Sequence, residues 1–175
     1  MDSVWREGEL EFDFSGALQP IEIPDKDSKG LKSVDFIAKY PQELWLIEVK
    51  DPEATPSKRR EGEIKGTLEK IRNESLMNEH ILPKLYGTFA HLVQKRREPR
   101  GRVRYGIVFG LTSLTAAERS TLTDKSQRIV DRIGPKIRHS RNWPIIEIHN
   151  IESWNAAHPE MTVTRKPEVP TSTDE

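Results

Sequence analysis

Two adjacent apolar segments, "SVDFIAKY" and "ELWLIEVK", occupy residues 33–40 and 43–50 with only Pro41-Gln42 between them. Both are rich in β-branched and aromatic residues, and a two-residue turn can only close them as an antiparallel hairpin. That hairpin constrains the fold more than any other part of the chain. A two-residue loop fixes register: Lys39 pairs with Leu44, Ile37 with Leu46, and Asp35 with Glu48. Side chains alternate between faces, so Trp45, Ile47 and Val49 form a core face while Leu44, Leu46, Glu48 and Lys50 share the other. Two carboxylates are thereby set opposite each other, with β-carbons about 4.5–5.5 Å apart, which disfavours folding unless a positive charge lies between them. A divalent cation meets that need, and Lys50 at the strand end reaches the same spot, where it can neutralise a phosphate or position an attacking water.

The remaining elements follow from periodicity and punctuation. "ELEFDF" alternates as a half-buried first strand at residues 9–14, and 19–30 read as a loop. Apolar residues at spacings of three and four between 58 and 97 predict helix, with Pro83 dividing it in two near residues 80–82. Residues 102–111 form a buried strand. Thr115 and Glu118 make a capping box opening a helix that runs to Ile133, where Gly134-Pro135 stops it. A last strand at 143–150 and a short helix pinned by Trp154 follow. The order predicts an α/β fold, a mixed central β-sheet flanked by helices, as one domain over 1–159. Residues 160–175 have few apolar side chains and are expected to form a flexible C-terminal tail.

Composition narrows the chemistry. The 175-residue chain has no cysteine, which excludes disulfides and thiolate metal sites and leaves oxygen and imidazole donors, favouring magnesium or manganese over structural zinc. No long apolar run or leader is present, so a soluble cytoplasmic protein is expected, with no membrane association. The net charge of zero hides an asymmetry: residues 1–53 carry 6 basic and 13 acidic side chains, 54–141 carry 20 and 9, and 142–175 carry 2 and 6. The basic middle is the expected polyanion face. Its candidate phosphate contacts are Lys58, Arg59 and Arg60, just beyond the hairpin, and Lys95, Arg96, Arg97, Arg100 and Arg102. His80 and His91 stand eleven residues apart, which is no zinc-ligand spacing.

Asp35 followed by Glu48-Val49-Lys50 on the hairpin partner resembles the PD-(D/E)xK nuclease superfamily over residues 33–53. The resemblance implies a restriction-endonuclease-like sandwich with Asp35, Glu48 and Lys50 as catalytic residues. The metal, magnesium or manganese, would be held by Asp35, Glu48 and the Val49 backbone carbonyl. Val34 stands where the family often has proline. No opening helix supplies the family's additional acid, for which Glu11 or Asp13 on the first strand is the candidate substitute. The implied activity is hydrolysis of phosphodiester bonds in DNA, with RNA left open, as the cleaving subunit of a restriction or phage-defence system. A chain this small leaves specificity to a homodimer, a partner in a larger complex, or nucleic-acid shape. Two other functions stay open: a catalytically inactive nuclease-like subunit that binds nucleic acid or scaffolds a complex, and an interaction protein whose basic middle docks an acidic partner.

Overall fold

In a computed structural model of the protein the hairpin forms in the predicted register. Strands β3 (Phe36–Lys39) and β4 (Glu43–Lys50) pair antiparallel with Lys39 opposite Leu44 and Ile37 opposite Leu46. The Tyr40 N–H donates to Glu43 O across the turn at 2.9 Å. The structure describes residues 3–18, 32–54, 57–73, 75–94, 101–133 and 144–166. Among them, β4 continues into a parallel array with β5 (Arg102–Phe109) and β6 (Ile145–Asn150), giving a mixed four-stranded sheet in the order β3-β4-β5-β6.

Both faces of that sheet are covered. Helices α1 (Ser57–Arg72), α2 (Leu82–Gln94) and α3 (Ala116–Ile133) supply Ile71, Leu85, Leu92, Leu122 and Val130 to one core, with Leu46, Tyr105, Ile107 and Ile148 from the sheet. On the opposite face, Trp45, Ile47 and Val49 pack with Phe12, Met161 and Val163 and with Trp154 of the short helix α4 (Ile151–Ala157). Strand β4 therefore has core on both sides, and Glu48 is not on a solvated face but fully buried. No helix among the described residues is long and apolar enough to cross a membrane.

Three expectations are corrected. The first strand, expected at 9–14, is β2 (Leu10–Asp13), and it does not join the main sheet. It pairs with β1 (Val4–Glu7) through a turn at Gly8, whose φ of 60° suits glycine, and with β7 (Val163–Arg165). The second correction concerns Pro83, which does not divide the helix. The break comes at Asn73, after which a π-helical segment, Leu76–Ile81, runs directly into α2. Proline cannot donate to the carbonyl four residues back, and the wider turn accommodates this. Leu82 N–H bonds Met77 O instead, and the Glu79 carbonyl accepts from Lys32 Nζ at 3.3 Å.

The third correction is the tail. Met161 and Val163 are fully buried, β7 pairs with β2, and Arg165 donates to Asp51 at 2.7 and 3.0 Å and to the Gly110 carbonyl. Low apolar content hid this because two buried side chains and a strand edge suffice to order six residues. Residues 167–175 lie outside the described residues. Truncation after Pro159 is thus expected to cost about 3–6 kcal/mol from the two lost apolar side chains alone, a fall in Tm of roughly 10–20 °C. Thermal melts of the shortened chain check this, and an unchanged Tm would show that β7 contributes nothing.

Candidate active site

The sheet brings Asp35, Glu48 and Lys50 together at the end of β4. Asp35 sits one step beyond the Phe36–Ile47 pair, its N–H donating to Ile47 O at 3.0 Å, which places its side chain beside Glu48. Its Oδ2 accepts the Val49 N–H at 2.8 Å, and the Val49 carbonyl points to the same side of the strand. Lys50 Nζ donates to Glu48 Oε1.

A fourth residue completes the cluster. Lys84, on the first turn of α2, places its ammonium 2.8 Å from Glu48 Oε1 and 3.3 Å from Asp35 Oδ1. It supplies the positive charge between the carboxylates that the hairpin geometry demanded. Sequence reasoning missed it because it lies 34 residues beyond Lys50 and follows no motif. What brings it there is a close approach of α2 to the chain entering β3. Val34 N–H donates to Thr88 Oγ1 at 3.0 Å, and a β-carbon on Gly87 would lie 1.9 Å from Lys32 O, so only glycine lets the helix seat so near. Behind the cluster, the buried Tyr105 hydroxyl donates to Ile81 O, and burial, then the charges of Glu48 and Asp35, push its phenol well above the ordinary value.

The electrostatics are those of two buried acids under two lysines. Asp35 is 4% exposed and Glu48 0%, while the side chains of Lys50 and Lys84 are 25% and 22% exposed, so the cluster meets solvent through its ammoniums. Burial, and next the neighbouring Asp35 charge, push the Glu48 carboxyl up to about 7, against the pull of both lysines. Glu48 Oε2 is buried with no hydrogen-bond partner. An ionised carboxylate oxygen left without a donor costs stability, and a hard cation bound at Oε2 would relieve it. The donor set therefore fits magnesium or manganese, on condition that Lys84 gives up Asp35 Oδ1 to the ion.

The other site candidates are placed elsewhere. Glu11 pairs with Arg6 at 2.7 Å and Lys166 at 3.7 Å in the small sheet, and Asp13 Oδ1 accepts the Ser15 N–H. Both side chains are committed to these local contacts. Lys58, Arg59 and Arg60 are exposed at the start of α1, a few residues past Lys50. Arg102 is not near the cluster: it pairs with Glu43 at the start of β4, whereas Lys50 pairs with Phe109 at the other end, a separation of about 23 Å along the strand. Lys95, Arg96, Arg97 and Arg100 lie outside the described residues. Sequence reading also weighed His80 and His91 and overlooked His149 and His158, which converge with Glu147 on the opposite face of the sheet. The alternating "EIH" at 147–149 was the available signal for Glu147 and His149. Comparison with protein-family models, with curated proteins and with solved structures finds no match to this chain.

Proposed function

We propose that the chain is a metal-dependent nuclease of the PD-(D/E)xK type, with Asp35, Glu48 and Lys50 at its centre and DNA as substrate. The observation that carries this reading is the unpartnered, buried Glu48 Oε2 beside Asp35, under two lysines that face solvent. Asp35, Glu48 and the Val49 carbonyl would hold magnesium or manganese. When bound, the ion supplies Lewis-acid polarisation of the phosphate and a more acidic water. Lys50 orients the attacking water and offsets charge on the phosphoryl oxygens as the new P–O bond forms and the bond to the leaving sugar oxygen breaks. Lys84, released from Asp35, anchors a neighbouring phosphate oxygen. Such a reading expects supercoiled plasmid to be nicked by the purified chain with magnesium or manganese and left intact with chelator. No cleavage with either ion would overturn it.

One observation favours a second reading. Lys84 already neutralises both acids without an ion, as it would in a catalytically inactive nuclease-like subunit that binds nucleic acid. The exposed Lys58 and Arg59 serve either function. Replacing both by alanine is expected to weaken DNA binding and to flatten the salt slope by about 0.9 per lost phosphate contact. Fluorescence anisotropy across a salt series measures it, and an unchanged slope removes the start of α1 from the binding face.

A further inference from the structure

Remote from the lysine-lined cluster, Glu147 and His149 project from β6 on the face that packs against α4, and His158 follows the end of that helix. His158 Nε2 lies 3.0 Å and His149 Nε2 3.5 Å from the same oxygen, Glu147 Oε2, and one ligand atom from each of the three residues lies within 4.8 Å of the others. Four-coordinate zinc with bonds near 2.0–2.1 Å holds its ligand atoms roughly 3.3 Å apart.

Glu147 and His149 each have a partner on the far side, and His158 has a carboxylate nearby. Glu147 Oε1 is taken by Arg104, whose own charge is met by Glu43 Oε1 at 2.8 Å. His158 Nδ1 lies 3.8 Å from Glu160 Oε1. His149 Nδ1 lies 3.3 Å from Ser153 Oγ, and that hydroxyl accepts from Asn150 N and gives its proton to Asn150 O. In the tautomer that a metal binds, His149 Nδ1 donates to Ser153 Oγ and the Nε2 lone pair faces Glu147 Oε2. Trp45 and Trp154 close the site on one side, with centroids 4.7 and 4.6 Å from the His158 ring. Gly106 makes room for this packing, because a β-carbon there would lie 2.6 Å from the Trp154 ring. Two imidazoles, one carboxylate and oriented outer partners are the donor pattern of a borderline transition metal and not of magnesium.

We propose that Glu147, His149 and His158 form a second metal site, which takes Zn2+ or a similar first-row divalent ion through His149 Nε2, His158 Nε2 and Glu147 Oε2. A water completes the tetrahedron. The ion clamps the end of α4 to β6 and is independent of the Asp35–Glu48 site. The test is titration of the untagged, chelator-treated Glu48→Gln chain with Zn2+ by calorimetry and with Co2+ by visible absorption, the Glu48 substitution removing the other acidic site. One ion per chain, four-coordinate Co2+ bands and a raised Tm are expected. His149→Gln and His158→Gln should each lose at least tenfold in affinity and the Co2+ bands, and Ser153→Ala should lose about tenfold, the low end for an outer partner. Circular dichroism verifies folding. Should His158→Gln not fold, His149→Gln, on a side chain facing partly to solvent, decides alone. No Co2+ bands in the parent chain, or binding undiminished in His149→Gln, overturns the site whatever the outcome of the cleavage assay.

Discussion

Glu48→Gln and Lys50→Ala are expected to fail in different ways although the residues share one strand face two positions apart. Magnesium at about ten times its dissociation constant should stabilise the wild type by about 1.4 kcal/mol, a rise in Tm of roughly 3–6 °C for a chain of this size. Glu48→Gln should lose that rise and all cleavage. Lys50→Ala should keep the rise, because an ammonium is not a ligand and Lys84 still neutralises Glu48 Oε1. It should lose about 10²–10³-fold in cleavage rate, the usual cost of removing one charge-stabilising donor. Melts of the three chains with and without magnesium, with their matched cleavage assays, settle the matter. An absent metal shift in the wild type combined with unimpaired cleavage in Lys50→Ala would end the nuclease assignment.

The second large effect concerns Lys84. Substituting methionine keeps the packing but leaves two adjacent buried carboxylates with Lys50 as their one remaining cation in the cluster. Breaking a buried ion cluster from one side costs about 3–5 kcal/mol, so Lys84→Met should be strongly destabilised at pH 8 in metal-free buffer. The pH dependence has a definite sign. Glu48 titrates near 4.5 when unfolded and near 7 when folded, so over that window the folded chain holds a proton that the unfolded chain has released. Wild-type stability should therefore fall as pH rises from about 4.5 to 7, by on the order of 3 kcal/mol. In Lys84→Met the folded value moves higher still and the loss extends further upward in pH. Lowering the pH to 5, or adding Glu48→Gln, should recover most of it. Denaturant melts of the single and double variants across pH measure the coupling. A Lys84→Met loss below about 1 kcal/mol at pH 8, or one that does not change with pH, would show that the acids do not depend on this lysine.

The sequence by itself determined whatever is encoded within a few residues. The hairpin register is set by a two-residue turn and period-two alternation, so the side-by-side placement of Asp35 and Glu48 is already encoded in the local chain. The α3 start belongs to the same class: Thr115 and Glu118 exchange the hydrogen bonds of a capping box, with Glu118 N–H donating to Thr115 Oγ1 at 3.2 Å. The mixed α/β order followed from the same local signals.

Only the tertiary structure decided what depends on elements remote in the chain. Alternation tells which residues share a face but not whether that face is wet. The face carrying Glu48 turned out to be buried because three helices cover it, and that burial is the first cause of its raised carboxyl. Lys84 reaches the acids through a helix seated by Gly87 and Thr88 against residues more than fifty positions earlier. Met161 and Val163 are buried because β2 offers an edge and Trp154 a floor, neither visible in a polar C-terminal stretch. His158 meets Glu147 across the turn that follows α4, eleven residues on, a separation that no ligand-spacing rule would single out. In each case the local chain permits many environments, and long-range packing selects one by removing particular groups from water and supplying their partners.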